Sequence, residues 1–237
     1  MNAPDPLLRL VDRPSPNHGP RAAGARIELL VLHYTGMVGA EAALARLCDP
    51  AAEVSAHYLI DRAGTVFRLV PEERRAWHAG ISSWHGMADV NSRSVGIEIE
   101  NPGHQWGYVP FTAPQMSAVI ALARAVLGRH PMSPQGVLGH SDIAPQRKVD
   151  PGELFDWRGL AEAGVGHWPA DLDAPSAVAP PFGPDEGLRR LARYGYELDA
   201  PLATVEAFQR RFRPARIDGV LDAETLWRIA RLIPDDR

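Results

Sequence analysis

The hydrophobic residues in the first two thirds of the chain follow the periods expected of strands and helices. Ile27 to Leu32 is a continuous apolar run, which is typical of a strand covered on both faces. Ser94 to Glu100 alternates instead, with three aliphatic residues facing one way and Gly96, Glu98 and Glu100 facing the other. This alternation predicts a half-buried strand that carries its two acids on one face.

Other segments predict the remaining strands and helices of an α/β fold. Strands are expected at residues 54–61, 65–70 and 136–139, and a short turn at 62–64 joins the first two into a hairpin. Helices are expected at residues 40–48, from near Pro114 after the cap Thr112, and at 157–163. Residues 1–26, rich in Pro, Arg and Asn, predict irregular chain, and residues 76–84 predict a loop with exposed aromatic side chains.

The composition changes at Trp168, where a stretch rich in Pro, Ala and Asp begins. Because it has no periodicity, we interpret residues 168–184 as an interdomain linker. Three helical patterns follow it, at residues 185–194, 202–212 and 223–233. The chain is therefore predicted to consist of an irregular N-terminal segment (1–26), an α/β domain (27–167), the linker, and a small three-helix domain (185–237) that folds separately.

Composition excludes several classes of protein. The formal net charge of -4 disfavours a general nucleic-acid binder, because such proteins usually carry a basic excess. The single cysteine, Cys48, leaves no internal disulfide, and no apolar run approaches the length of a membrane span. The N-terminal stretch lacks a basic start followed by a long apolar segment, so the sequence predicts no signal peptide.

The stretch Leu138 to Gly152, LGHSDIAPQRKVDPG, carries the clearest chemistry. It holds His140 and Asp150 on a loop stiffened by two prolines, with the cation of Lys148 close to the aspartate. A histidine and a carboxylate held in this way indicate a metal site that still lacks one or two ligands. His33 is the best candidate for a further ligand, because it ends a predicted strand and open α/β sheets place their sites at strand ends.

Three separated motifs resemble those of the zinc-dependent N-acetylmuramoyl-L-alanine amidases, the family of AmpD- and AmiD-like enzymes and peptidoglycan recognition proteins. The motifs LVLHYT, SVGIEIEN and GHSDIAPQRKVDPG occur in the order of the family, and the resemblance extends from about Ser15 to Asp156. It implies a central mixed β-sheet flanked by helices, and hydrolysis of the amide between the lactyl group of N-acetylmuramic acid and L-alanine. FQRRFRPARIDGVLDAETLWRI resembles the three-helix peptidoglycan-binding domain that is often fused to cell-wall hydrolases.

The resemblance also implies roles for individual residues of the metal site. His33, His140 and Asp150 are expected to bind Zn²⁺ and to leave a fourth position for water. Glu98 is expected to act as the general base toward that water, with Glu100 as the second candidate.

Other residues of the motifs are expected to contact substrate. Lys148 would stabilise the oxyanion that forms during hydrolysis. His78 would either bind the substrate peptide or support the metal pocket. Asn91 and Arg93 would either hold carboxylates of the stem peptide or serve only their loop. Tyr34 would form a wall of the cleft or pack in the core.

A non-catalytic peptidoglycan receptor is the alternative function. Receptors in this superfamily typically lack a zinc ligand, whereas all three candidate ligands are present here. The expected partners are peptidoglycan or soluble (anhydro)muropeptides, with no nucleic acid and no membrane span, and a monomer is expected. The missing signal peptide predicts the cytoplasm, where the enzyme would trim imported anhydro-muropeptides; the periplasm or outer membrane is the alternative if a signal was removed.

Overall fold

A six-stranded mixed sheet lies at the centre of the chain. The structure is a computed structural model and describes residues 8–172 and 182–234. The strands are β1 (Leu10–Asp12), β2 (His18–Pro20), β3 (Leu29–Tyr34), β4 (Tyr58–Ile60), β5 (Val66–Arg68), β6 (Arg74–Ala76), β7 (Ser94–Ile99) and β8 (Val137–Gly139). The sheet has the order β1-β5-β4-β7-β3-β8, in which only β4 and β5 are antiparallel neighbours, and β2 pairs with β6 separately. The mixed sheet implied by the family resemblance is confirmed.

Helices cover this sheet and form the C-terminal part of the described chain. They are α1 (Ala40–Cys48), α2 (Val90–Arg93), α3 (Ala113–Arg129), α4 (His140–Ile143), α5 (Trp157–Glu162), α6 (Pro184–Tyr194), α7 (Pro201–Phe212) and α8 (Ala223–Leu232), with 3-10 turns at Pro50–Ala52 and Pro134–Gly136. α3 starts at a capping box, in which Thr112 and Gln115 exchange side-chain to backbone hydrogen bonds. Within residues 8–172 and 182–234, none of the helices has the length and hydropathy that a membrane span requires.

The observed strands differ from the predicted ones more than the observed helices do. The predicted helix at 40–48 is α1 itself, whereas the predicted strands at 54–61 and 65–70 shorten to Tyr58–Ile60 and Val66–Arg68. The ends of these segments make other hydrogen bonds: the N–H of Ser55, for example, donates to the carbonyl of Trp77 at 3.1 Å.

The N-terminal segment is more regular than predicted. β1 adds a parallel strand to the edge of the sheet beside β5, and β2 pairs with β6. Strands of three residues are too short to show an alternating pattern, so sequence reasoning missed them. Arg21 then ties this segment to the rest of the chain, because its guanidinium donates to the backbone carbonyls of Glu72, Asn91, Ser92 and Ser94.

One prediction of exposure holds only in part and another is wrong. In β7, Ser94, Val95 and Ile97 are inaccessible, while Glu98 and the following Glu100, on the face predicted to carry the acids, are partly exposed. Trp84, predicted to lie exposed in a loop, is only 1% exposed. The rings of Tyr194, the last residue of α6, and of Tyr196, two residues later, pack edge-on against its indole.

The C-terminal helices share a core with the sheet. β3 alternates between two clusters: Leu30 and Leu32 pack with α3, while Leu29 and Val31 belong to the cluster that contains the buried residues of α6, α7 and α8. This arrangement confirms that the apolar run at 27–32 is covered on both faces, and it shows that the C-terminal helices help to cover one of them.

The beginning of the predicted linker joins this core as well. Leu172 is fully buried, and the ring of Trp168 lies 5.7 Å from that of Phe212. Residues 173–181 lie outside the described part of the chain. The boundaries of the predicted domains stay a prediction, but a shared core argues against separate folding.

Candidate metal centre

Three parallel strands bring the candidate residues to one edge of the sheet. His33 of β3 lies in register with Glu98 of β7, and Leu32 lies in register with Gly139, the last residue of β8. His140, the next residue, therefore starts α4 beside His33. Because parallel strands end at the same edge, the sheet itself collects two histidines and an acid there.

Asp150 reaches the two histidines because the loop after α4 turns back. The carbonyl oxygen of Asp150 accepts from the N–H of Ser141 at 2.9 Å, which ties the end of the loop to α4. Gly152 then adopts a left-handed conformation with φ of 89°, and a Cβ at this position would clash with the hydroxyl of Tyr108. Glycine is thus required for the loop to return in this way.

Three ligand atoms converge on one buried point. Nδ1 of His33 lies 2.9 Å from Nδ1 of His140, and Oδ2 of Asp150 lies 3.2 and 3.1 Å from these two atoms. Among the described residues, these three side chains form a group that could hold a metal ion. Ligand atoms about 2.0–2.1 Å from a tetrahedral zinc ion are roughly 3.3 Å apart, so the spacing suits such an ion.

The outer nitrogen of His140 fixes its tautomer. Nε2 of His140 lies 3.0 Å from the carbonyl oxygen of Ala79, which can only accept a hydrogen bond. Nε2 therefore carries the proton, and Nδ1 presents its lone pair to the other two ligand atoms.

A chain of hydrogen bonds fixes the tautomer of His33. Ser94 donates its hydroxyl proton to the carbonyl of Val90 at 2.7 Å, so its oxygen accepts from Nε2 of His78 at 3.1 Å. Nδ1 of His78 is then an acceptor for Nε2–H of His33, at 3.0 Å. Nδ1 of His33 is left with a free lone pair. Gly96 makes room for this chain, because a Cβ there would clash with the ring of His78.

The donor set therefore fits a metal cation. Two imidazole lone pairs and one carboxylate oxygen face each other at 2.9–3.2 Å, with the ring protons of both histidines engaged elsewhere. Three acceptors at this distance repel one another unless a cation lies between them. Two histidines and a carboxylate, with room for water, are the ligands of many catalytic zinc sites.

Burial and neighbouring charges set the protonation states that metal binding needs. Burial is the main cause that lowers the pKa of His33 to about 4, so that this ring is neutral at pH 7. Burial by itself raises the pKa of Asp150, but His140 and His33 outweigh it and hold that pKa well below its usual range. A neutral imidazole and an ionised carboxylate are the forms that bind metal.

Glu98 lies at the same edge of the sheet with a free oxygen. Its Oε2 is buried and has no hydrogen-bond partner among the described residues. Burial and the negative charge of Asp150 raise the pKa of Glu98 well above its usual value, against the opposing charge of Lys148. An acid with a raised pKa suits proton transfer near neutral pH. Glu100, the second candidate, instead accepts from the backbone N–H of Arg62 at 2.9 Å, outside the cleft.

A cleft of about 390 Å³ opens onto the site. Its walls include Tyr34, Trp77, Glu98 and the half-buried Lys148. The hydroxyl of Tyr34 bonds to Nδ1 of His104 at 3.0 Å, which holds the tyrosine ring at the rim. Of its two expected places, Tyr34 takes the first, a wall of the cleft, and Lys148 lies in the same cleft.

The other three residues predicted to contact substrate bond instead to other groups of the protein. His78 lines the cleft, but both its ring nitrogens are engaged, which favours the second of its two expected roles, support of the metal pocket. Asn91 is buried, and its Oδ1 accepts from the backbone N–H groups of His78 and Ala79 at 3.1 and 2.9 Å. Arg93 pairs with Glu28 at the far end of β7. The structure does not bring Asn91 or Arg93 to the cleft, and we correct their assignment to substrate accordingly.

Sequence reasoning missed two residues that shape the site. Arg147 lines the cleft and donates to the carbonyl oxygens of Ala79 and Ile81 at 3.2 and 3.1 Å, which holds the loop over His140. Its place inside GHSDIAPQRKVDPG was a usable signal. Ser94 gave no signal, because its contact with His78 exists only after the loop following β6 folds over β7.

Comparison with known proteins agrees with this geometry. The profile of the N-acetylmuramoyl-L-alanine amidase family matches residues 23–153. The chain is 40% identical over 228 residues to N-acetylmuramoyl-L-alanine amidase AmiD of Escherichia coli K12, a match that covers 86% of this chain and 82% of AmiD. It is 37% identical over 161 residues to 1,6-anhydro-N-acetylmuramyl-L-alanine amidase AmpD of Enterobacter cloacae, covering 61% of this chain and 84% of AmpD.

Solved structures give the same picture. The complex of E. coli AmiD with the substrate anhydro-N-acetylmuramic acid-L-Ala-D-γ-Glu-L-Lys matches with a TM-score of 0.79 at 38% identity, over 90% of this chain and 91% of that one. AmpDh3 of Pseudomonas aeruginosa matches with a TM-score of 0.77 at 36% identity, over 89% and 92%.

Proposed function

The chain belongs to the N-acetylmuramoyl-L-alanine amidase family, and from this premise we propose that it is a zinc enzyme whose ion is bound by His33, His140 and Asp150. One observation carries the proposal: two imidazole nitrogens and one carboxylate oxygen, all buried, converge within 3.2 Å of one another, while the outer nitrogen of each histidine has another partner. When bound, Zn²⁺ would lower the pKa of a water molecule and polarise the amide carbonyl of the substrate.

Two side chains near the ion supply the proton transfer and the charge stabilisation that hydrolysis also needs. We assign Glu98 as the base that takes the proton of the attacking water and then gives it to the amine of L-alanine as the amide C–N bond breaks. Its Oε2 is free for this purpose. Lys148 supplies a positive charge in the same cleft, where negative charge develops on the carbonyl oxygen.

We further propose that the substrates are soluble anhydro-muropeptides. AmpD is named for the 1,6-anhydro sugar, and AmiD has been crystallised with an anhydro-muropeptide substrate. Each match spans most of the relative's own length, 84% of AmpD and 91% of the AmiD chain.

A digest resolved by mass spectrometry tests the substrate proposal. Purified enzyme is incubated separately with anhydro-muropeptides, with the corresponding reduced muropeptides and with intact sacculi. We expect anhydro-N-acetylmuramic acid and a free stem peptide that begins with L-alanine, formed fastest from the anhydro substrate. Equal rates on all three would contradict the preference, cleavage within the stem peptide would indicate an endopeptidase, and binding without cleavage would indicate a receptor.

Ser94→Ala should weaken zinc binding without touching a ligand. The substitution removes the acceptor that holds Nε2–H of His78, so His78 no longer has a fixed tautomer with which to hold Nε2–H of His33. Loss of such outer partners typically lowers metal affinity about 10–100-fold. Competition with a chelator of known affinity measures the effect. Ser92→Ala is the matched control, since Ser92 is a buried neighbour whose hydroxyl group bonds to the backbone N–H of Ala22 and to Asp89 and not to His78. An equal loss in both variants would refute the role of Ser94.

The cytoplasm and a monomeric state stay proposals that follow from the sequence. Fractionation of cells that carry the full native coding sequence tests the compartment, and finding the protein mainly in the periplasm or outer membrane would reverse that assignment.

A further inference from the structure

A carboxylate two residues after His140 is bound by the C-terminal helices. Asp142 lies in α4 and is 1% exposed. Its Oδ2 accepts from the backbone N–H of Gly139 at 2.8 Å, across the start of the short helix from which His140 projects. The position of Asp142 is thus coupled to the backbone that carries a candidate metal ligand.

Two side chains of the C-terminal part complete the contacts of this carboxylate. Arg211 of α7 donates from Nη1 to Oδ2 of Asp142 at 2.9 Å, and the hydroxyl of Tyr196 donates to Oδ1 at 2.6 Å. Arg211 and Tyr196 are each 3% exposed. Both oxygens of Asp142 are therefore held from the C-terminal side, in a region without solvent to replace these partners.

The guanidinium of Arg211 is itself fixed by two rings. Its Cζ lies 4.1 Å from the ring centre of Trp157 and 4.8 Å from that of Phe212. Trp157 is the first residue of α5 and follows the metal-binding loop in sequence. Its ring also packs against Gly139, where an added Cβ would lie 3.2 Å from the ring. Arg211 thus touches both ends of the segment that carries His140 and Asp150.

We propose that the C-terminal helices hold the metal site in shape, with Arg211 and Tyr196 as positioning residues for His140. The inference rests on the proposed zinc site. This positioning role differs from that of a separately folded wall-binding domain. If the C-terminal helices only bound the cell wall, loss of their contacts with α4 would leave the cleavage of small soluble substrates unchanged. Removing either partner leaves the buried charge of Asp142 under-bonded, so α4 must shift, and His140 shifts with it.

Point variants of the full chain test this role. Arg211→Met removes the ion pair while keeping an apolar stem against the rings, and Tyr196→Phe removes a single hydroxyl. Glu197→Ala is the control, because Glu197 also joins the C-terminal part to the α/β part but contacts Ser83 and Gly86, at 2.7 and 3.0 Å, rather than α4. For each protein, the zinc dissociation constant is measured by chelator competition, beside thermal unfolding and kcat and KM on a soluble muropeptide.

We expect zinc affinity to fall about tenfold or more in Arg211→Met and less in Tyr196→Phe, with kcat falling and KM little changed. Glu197→Ala should lower the unfolding temperature but keep the zinc affinity of the wild type. If both test variants bind zinc as tightly as the control, the contacts serve stability alone and the proposal is overturned. Where Arg211→Met does not fold, Tyr196→Phe decides by the same comparison. A wild-type chain that binds no zinc would instead overturn the proposed function, and the inference with it.

Discussion

Glu98→Gln is expected to keep its zinc and to lose about a hundredfold or more in turnover on soluble muropeptides, the usual scale for general acid–base catalysis. The glutamine has nearly the shape of glutamate but cannot take up a proton. Glu98 is not among the three converging ligand atoms, so zinc content should stay at one ion per chain. The loss should therefore fall on kcat, with the metal measured in the same preparation.

Glu100→Gln is the matched control for this prediction. Glu100 directly follows the same strand, two residues after Glu98, and its carboxylate accepts from the backbone N–H of Arg62 outside the cleft. It should retain near-normal turnover. If the Glu98 variant also did so, the base would have to be sought elsewhere in the cleft; if the Glu100 variant lost as much, the effect would be one of strand stability and not of proton transfer.

The residues of the metal site could be predicted because each stands at the end of a recognisable pattern. His33 closes an apolar run, Glu98 lies near the end of an alternating one, and His140 follows a short strand. Parallel pairing then aligns these ends, and the register of His33 with Glu98 is a direct consequence. Asp150 could be added because its loop motif resembles that of the family.

Contacts between distant segments could not be predicted in this way. Asn91 and Arg93 carry side chains suited to bind a carboxylate of the substrate. However, Asn91 accepts hydrogen bonds from the backbone N–H groups of residues 78–79, and Arg93 donates to Glu28. Which polar group finds a partner within the protein depends on packing that no local pattern encodes.

For the same reason, the sequence does not predict what the C-terminal helices pack against. Each helix there has a clear amphipathic pattern, and the sequence predicts all three within about a residue. The pattern shows that each helix has an apolar face but not what covers that face. Here the same cluster includes Leu29, Val31 and Leu138 of the sheet, so the three C-terminal helices pack on the α/β fold along their apolar faces.

Removal of the metal is expected to abolish activity, and zinc alone should restore it. Without a cation, the lone pairs of His33, His140 and Asp150 face one another at 2.9–3.2 Å inside the protein. Because zinc binds the folded chain at these converging atoms, it should stabilise the fold. Zinc at about 1,000 times its dissociation constant adds about 4 kcal/mol to the free energy of unfolding. For a chain of this size, that corresponds to a rise in Tm of roughly 8–16 °C.

Asp150→Ala tests whether the loss of activity on chelation comes from loss of the ion at this site. We expect this variant to hold little zinc after dialysis, to have no measurable amidase activity, and to show almost none of the rise in Tm when zinc is added. Asp156→Ala is the control from the same loop: Asp156 caps α5 through the N–H of Gly159 at 2.8 Å, and its loss should cost about 1 kcal/mol while leaving zinc binding intact. Full activity of the wild type after chelation, with the metal verified absent, would refute a zinc mechanism. Normal zinc content in Asp150→Ala would instead remove Asp150 from the ligands and leave the two histidines to bind the ion with a group not yet identified.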